Sequence, residues 1–180
     1  MTLSEFEAEI TDQDIRPIKI VTYALTLGVV LMVSIGLYLY FFKVTDTTPN
    51  YNNSLIDTYL IVLGILFIGT LLGSKIASQA ALKGENGLGS IEAKRNSFDK
   101  RKLIGIFNNQ HIIRLAPVEG SAFFGCVVFL VSVLGNQIYA TNYDWLSLVP
   151  VVFLIFYNLS FMPTKEKVVN ILKTAQAEVN

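Results

Sequence analysis

The side chain most able to do chemistry in this sequence is the carboxylate Glu119, which stands at the edge of a long uncharged run. An ionisable group in an apolar environment is costly, so it is a functional candidate. Its role could be a structural ion pair or helix cap, the handling of protons or ions, or the binding of a partner. Arg114 precedes it by five residues and so does not share its helix face, and Lys75 is an equally suitable partner. Among these roles we favour the ion pair or cap.

The residues around Glu119 support a cap. Pro117 is predicted to lie near the start of a helix, where its missing N–H costs little. A carboxylate close to that helix start is also stabilised by the helix dipole. The sequence therefore predicts that Glu119 lies near a helix N-terminus and near the edge of the apolar region.

The remainder of the chain offers little for catalysis. It contains one histidine, His111, and one cysteine, Cys126, and the spacing indicates no His pair, Ser–His–Asp set or metal-ligating cluster. We therefore predict a non-enzymatic protein with no cofactor and no metal site. The formal net charge is zero, which argues against a nucleic-acid partner.

Small and amide side chains within the apolar runs indicate helix packing. Gly69, Gly73 and Ala77 recur at steps of four, a spacing that lets two helix backbones approach closely. Such a pattern indicates packing within one bundle more often than self-association. Asn158 lies in the last apolar run, and an amide is costly in lipid. We therefore expect Asn158 to face the bundle and to form an interhelical hydrogen bond.

These side chains must be positioned by membrane-spanning helices. Hydrophobic residues make up 52% of the 180 residues and charged residues only 16%, well below the share in soluble domains. A spanning helix needs about 20 mostly apolar residues, and four stretches meet this requirement. The predicted spans are residues 20–42, 55–74, 117–135 and 145–162.

The basic residues predict the orientation. Lys and Arg are concentrated in segment 75–114 and recur in the tail 163–180, whereas the other two connections carry one Lys between them. Under the positive-inside rule, both of these segments and the N-terminal tail 1–19 are cytoplasmic. The expected location is a bacterial inner membrane, in direct contact with the lipid bilayer.

The segments outside the spans have their own patterns. A short helix is expected near the N-terminus, separated from the first span by Pro17, and the three glycines in residues 84–89 predict a loop. The basic cluster at residues 100–102 serves as a topology signal or lies on the anionic membrane surface. The C-terminal tail is predicted to form an amphipathic helix capped by Thr164.

The run Ile112-Ile113-Arg114-Leu115-Ala116-Pro117-Val118-Glu119-Gly120 resembles the entry to the third helix in a family of small bacterial four-helix membrane proteins of unassigned function. The step Pro163-Thr164-Lys165-Glu166-Lys167 is also similar to the end of the fourth helix in that family. The resemblance implies four spanning helices and no particular activity. The stretch around Glu119 is also weakly similar to the carboxylate-bearing helix of the rotary ATP synthase proteolipid. There the carboxylate lies near mid-membrane, whereas Glu119 is only five residues from Arg114.

Taken together, the sequence predicts an all-α integral membrane protein, an up-down bundle of four transmembrane helices. We expect it to act through a membrane protein partner, as an accessory subunit, or as a homo-oligomer. The alternative is a small transporter or ion-translocating protein that uses Glu119. A membrane enzyme is the third hypothesis, and no catalytic constellation supports it.

Overall fold

The computed structural model describes residues 3–42, 53–83, 100–138 and 142–170, and the regular secondary structure in these ranges is helical. The glycine-rich segment and most of the C-terminal tail lie outside the described residues. The helices follow the chain in this order: α1 Leu3–Glu9, α2 Asp12–Phe42, α3 Asn53–Lys83, α4 Lys100–Leu134, a 3₁₀ helix Asn142–Leu148, α5 Val149–Phe161, and α6 over residues 165–170.

Four of the helical stretches in the described ranges are long and apolar enough to cross a bilayer. They are Asp12–Phe42, Leu55–Ala77, Lys100–Leu134 and Tyr143–Phe161, with 31, 23, 35 and 19 residues. These helices pack together, which confirms the predicted all-α membrane bundle of four spanning helices. The chain is therefore a multi-pass membrane protein. The exact bounds of the segments inside the lipid remain predictions.

The chain divides into two compact units. The first unit comprises Met1–Thr22, Ser74–Leu115 and Phe161–Asn180, and the second unit comprises Tyr23–Gly73 and Ala116–Ser160. The first unit therefore contains most of the charged residues, and the second unit contains most of the apolar helix length.

In the first unit, the break between α1 and α2 lies at Thr11. The backbone N–H and the hydroxyl of Thr11 both donate to the Asp14 carboxylate, at 2.8 Å each. The N–H contact is one half of a capping box, which satisfies a free donor at the helix start. The prediction that Pro17 separates the N-terminal helix from the first span is wrong, because Pro17 lies inside α2. The cap already starts the helix at Asp12, and Pro17 removes a single helical hydrogen bond.

A small apolar core holds the first unit together. It draws on both chain termini and on the N-terminal half of α4, and its buried members include Ile10, Ile15, Ile18, Leu103, Phe107, Leu115, Val168 and Val169. Lys100 adds a polar tie, because its Nζ lies 2.8 Å from Asp14 Oδ2 and donates to the Glu9 carbonyl at 2.9 Å. Leu103 and Phe107 are therefore packed inside protein, so these neighbours of the basic cluster do not lie on the membrane surface.

In the second unit, side-chain contacts give the directions of three helices. Cys126 Sγ of α4 lies 3.9 Å from the Val29 carbonyl of α2, and the Phe129 ring of α4 lies against Gly36 of α2. Both residue numbers rise together, so α2 and α4 run parallel. Tyr40 stacks edge-on against Trp145, and Thr26 bonds Asn158 further along. The residue number falls along α2 while it rises toward α5, so the α5 segment runs antiparallel to α2.

Two glycines allow the closest approaches in the second unit. A Cβ added to Gly36 would lie 2.8 Å from the Phe129 ring, and a Cβ added to Gly125 would overlap the backbone carbonyl oxygen of Ser147. Ser147 belongs to the 3₁₀ helix that leads into α5. The chain can therefore pass directly against α4 only because residue 125 has no side chain.

Helix α4 begins at Lys100, well before the predicted third span. The prediction that Pro117 lies near a helix start is therefore wrong, because Pro117 is in the helix interior. Glu119 is about five turns into the same helix, so the dipole at the N-terminus does not stabilise its carboxylate. The sequence shows only where apolar residues begin, and a helix can extend past that boundary when its polar part packs on another segment, as it does here in the first unit.

Candidate functional site

Glu119 lies in the second unit, on α4, with intermediate exposure. Among the residues that the structure describes, no hydrogen bond or salt bridge is formed by its carboxylate. Salt bridges do form in the first unit, where Lys19 lies 3.6 Å from Asp12 and Lys100 lies 2.8 Å from Asp14.

Arg114 and Lys75, the two predicted ion-pair partners of Glu119, belong to the first unit. The Arg114 guanidinium carbon lies 5.2 Å from the centroid of the Phe161 ring, a cation–π contact. Lys75 is exposed on α3 and takes part in interactions of its own. The ion pair with Glu119 remains a prediction, and the structure gives Arg114 a different role in packing.

Asn158 is buried in the second unit, with 8% of its surface exposed. Its Nδ2 donates to the Thr26 hydroxyl oxygen of α2 at 2.5 Å. Its Oδ1 is buried and accepts no hydrogen bond in the described part of the chain. The amide therefore links α5 to α2 through one of its two polar atoms and leaves the other unsatisfied.

The small-residue face of α3 is open. Gly69, Gly73 and Ala77 are exposed, and a Cβ added at either glycine would meet no described atom within 4 Å. The packing role predicted for these three residues stays a prediction, and the close neighbours in the second unit lie at Gly36 and Gly125. Large exposed side chains lie along one edge of the two glycines in the second unit, namely Ile65, Ile68 and Leu72, and we call this exposed strip of α3 the groove.

Sequence reasoning missed a buried carboxylate beyond the end of α4. Asp144 is only 2% exposed, and the buried Ser132 hydroxyl donates to its Oδ2 at 2.6 Å. Helix α4 ends after Ser132 with a Schellman motif, in which Asn136 adopts a φ of 59° and the Gln137 N–H donates to the Ser132 carbonyl at 3.0 Å. The Leu-Gly-Asn-Gln stretch that ends the third apolar run could have indicated this helix end, because glycine and asparagine are common there.

His111 also has a defined place. Thr22 is 1% exposed, and its hydroxyl donates to the Ile18 carbonyl at 2.9 Å while lying 2.9 Å from His111 Nε2. A hydroxyl has one proton, so when it is donated to the Ile18 carbonyl the Nε2–H of His111 is the donor in the second bond. The histidine therefore ties α4 to α2 within the first unit.

In the described ranges, no group of three or more His, Cys, Asp or Glu side chains could hold a metal ion. No family model, curated protein or solved structure matches this chain. The resemblance to a family of small bacterial four-helix membrane proteins therefore remains a prediction. The structure supports the broader statement that the chain is a small multi-pass membrane protein.

Proposed function

We propose that this protein is a non-enzymatic accessory subunit of the membrane that acts by binding another membrane protein through α3. The observation that carries this proposal is the groove in the second unit, where Gly69 and Gly73 are exposed and a Cβ at either would meet no described atom within 4 Å. Small residues at this spacing let a second helix approach closely, and close packing drives helix association in lipid. The large residues beside the groove would contact the flanks of the incoming helix.

The expected setting is a bacterial inner membrane, with both termini and the segment between α3 and α4 in the cytoplasm. The support is the concentration of Lys and Arg in residues 75–114 and 163–180. In this orientation the first unit lies on the cytoplasmic side. The Lys100–Asp14 pair and the packing of Leu103 and Phe107 would then hold that unit together at the inner membrane surface.

A matched pair of substitutions on α3 tests the proposal. Gly64 and Gly73 are both exposed, and a Cβ at either meets no described atom within 4 Å, so Gly64→Leu and Gly73→Leu should leave the isolated chain equally stable. The two positions are nine residues apart, so they point in roughly opposite directions from the helix axis. The tagged wild type and both variants are purified gently from their own membranes, and the mass and composition of each complex are measured.

A partner that is recovered with the wild type and with Gly64→Leu, and is lost with Gly73→Leu, supports the proposal. Equal recovery with all three chains contradicts the assigned groove. A wild-type protein that purifies as a monomer contradicts the accessory role. If the partner is a second copy of the chain, the same comparison assigns the groove to a homo-oligomer.

The second candidate function is a small transporter or ion-translocating protein that uses Glu119. The observation that favours it is a half-buried carboxylate in an apolar helix that has no bonded partner among the described residues. The test is solute flux into liposomes that contain the purified chain alone. Flux that is abolished by Glu119→Gln supports this function, and flux that is unchanged by the substitution contradicts it.

A further inference from the structure

Two positive side chains of the first unit contact the end of α5. The Arg114 guanidinium carbon of α4 lies 5.2 Å from the centroid of the Phe161 ring, and Phe161 is the last residue of α5. The Lys167 Nζ donates to the carbonyl oxygen of the next residue, Met162, at 3.2 Å. Consecutive residues have Cα atoms about 3.8 Å apart, so both cations lie at the same turn of the chain.

The guanidinium of Arg114 has unused hydrogen-bond donors. An arginine carries five N–H donors in a planar fork. In the part of the chain that the structure describes, Arg114 is half-buried and forms neither a hydrogen bond nor a salt bridge. The Phe161 ring attracts the positive charge but offers no oxygen acceptor. The oxygens of a phosphate fit such a fork, because two parallel N–H···O bonds can form.

Arg114 also lies at the predicted edge of the hydrocarbon region. The apolar helix Tyr143–Phe161 ends at the ring that Arg114 contacts, and charged residues follow at 165–167. Arg114 precedes the predicted third span, 117–135, by three residues, which is about 4.5 Å of helix rise. The Phe161 ring is exposed. The guanidinium and the ring are therefore expected at the depth of the lipid headgroups, on the surface of the first unit.

We propose that Arg114 binds the phosphate of an anionic phospholipid. The Phe161 ring is a positioning residue that holds the guanidinium, and Lys167 adds a second positive charge at the same turn. An anionic lipid fits better than a zwitterionic one, because two cations repel the positive headgroup of a choline lipid. In the orientation proposed above, the site faces the cytoplasmic leaflet, whose anionic lipids attract basic side chains.

This lipid site and the proposed partner on α3 can fail separately. The groove belongs to the second unit, and the lipid site belongs to the first unit. A chain that purifies alone but binds anionic lipid would retain the site and lose the accessory role. A chain that recovers a partner but has no preference for anionic lipid would retain the role and lose the site.

The test uses the full-length chain in a mild detergent. Binding of phosphatidylglycerol, and of phosphatidylcholine with the same acyl chains, is titrated by native mass spectrometry. Thermal unfolding midpoints are measured with each lipid and with inorganic phosphate. The variants are Arg114→Gln, Arg114→Lys, Lys167→Gln, Phe161→Leu and Phe161→Tyr.

Arg16→Gln is the matched control. Arg16 is an exposed arginine of the first unit, and it precedes the predicted first span, 20–42, by four residues. Its loss removes the same charge from nearly the same depth as the loss of Arg114. It does not remove the cation–π contact with Phe161. The comparison therefore separates a built site from the general attraction of interfacial charge.

We expect the wild type and Arg16→Gln to bind phosphatidylglycerol more tightly than phosphatidylcholine. Arg114→Gln should bind phosphatidylglycerol about tenfold more weakly, because a charge-assisted contact is lost. Arg114→Lys should have an intermediate affinity, because it keeps the charge and loses the planar fork. Lys167→Gln should weaken binding about fivefold, as expected for one charge near the membrane surface.

The two Phe161 variants test the positioning role of the ring. Phe161→Leu should weaken binding of phosphatidylglycerol about threefold, the effect of one exposed cation–π contact. Phe161→Tyr keeps an aromatic ring and should bind like the wild type. If Phe161→Leu does not fold, the comparison of Arg114→Gln with Arg16→Gln still decides the matter.

Three results would overturn the proposal. The first is equal weakening by Arg114→Gln and Arg16→Gln, which would reduce the effect to general interfacial charge. The second is equal affinity of the wild type for phosphatidylglycerol and phosphatidylcholine. The third is a stabilisation by inorganic phosphate as large as that by phosphatidylglycerol, which would assign Arg114 to a free anion instead of a lipid.

Discussion

The contact between Gly125 and Ser147 gives the sharpest test of the packing in the second unit. A Cβ at residue 125 would overlap a backbone carbonyl oxygen, which has no rotamer by which it can move aside. Gly125→Ala must therefore displace the 3₁₀ helix Asn142–Leu148 from α4. We expect the substitution to destabilise the folded protein.

The size of the destabilisation depends on the clash at residue 125 and on the higher helix propensity of alanine, which act in opposite directions. Overpacking a well-packed core typically costs about 1–3 kcal/mol, and a clash with backbone belongs at the upper end. Gly120 lies on the same helix, and a Cβ there meets no described atom within 4 Å, so Gly120→Ala has no clash. It should gain up to about 1 kcal/mol from the higher helix propensity of alanine. The two variants should therefore differ by about 3 kcal/mol in the free energy of unfolding.

The assay is thermal unfolding of the purified chain, followed by tryptophan fluorescence. The single tryptophan, Trp145, packs on Phe129 and Tyr40, so its emission reports directly on this contact. A difference of about 3 kcal/mol corresponds to roughly 6–12 °C in Tm for a chain of this size, on the scale known for soluble proteins. Equal midpoints for Gly120→Ala and Gly125→Ala would refute the close approach.

Two further predictions concern polar contacts. Lys100 holds the pKa of Asp14 down at about 2, so the pair stabilises the folded state above about pH 4, and this stabilisation is lost as the pH falls toward 2. Lys100→Met should lower the free energy of unfolding by about 1 kcal/mol at neutral pH, since the Asp14 carboxylate is partly exposed. It should also reduce the loss of stability between about pH 4 and pH 2. Lys19→Met is the control and should do neither, because the Lys19–Asp12 pair is more exposed. Ser132→Ala should cost about 2 kcal/mol by leaving the buried Asp144 carboxylate without its hydroxyl donor. Adding Asp144→Asn should recover part of that loss in a double-mutant cycle, and strict additivity would contradict the bond.

The sequence predicts the architecture well because lipid leaves few alternatives. Backbone groups in a bilayer must bond within their own segment, so long uncharged stretches become helices. Hydropathy therefore identifies the four helices, and the structure confirms them as a packed bundle. The ends of the helices are less predictable. Both Pro17 and Pro117 lie inside helices because a proline removes one hydrogen bond and the surrounding packing keeps the rest.

The candidate site is only partly predictable, because composition does not say which helix faces meet. Asn158 could be expected to face the bundle, since an amide in lipid is costly, but nothing in the sequence names Thr26 as its partner. The sequence also does not show which glycines lie against another helix. Gly69 and Gly73 carry the recognisable spacing, yet Gly36 and Gly125, which stand alone, make the close contacts. A glycine's role depends on what passes beside it, and that is a property of the assembled bundle.

The central claim is that the chain crosses the membrane four times with its basic middle segment on the cytoplasmic side. The most direct measurement is labelling of single cysteines by a membrane-impermeant thiol reagent in a Cys126→Ala background. Cysteines are placed one at a time at Asn50, Ser90 and Thr141, which lie in the three connections between the spans. In intact cells, positions 50 and 141 should be labelled, and position 90 should be labelled only after permeabilisation. Labelling of position 90 in intact cells, or protection of position 50 or 141, would contradict the account.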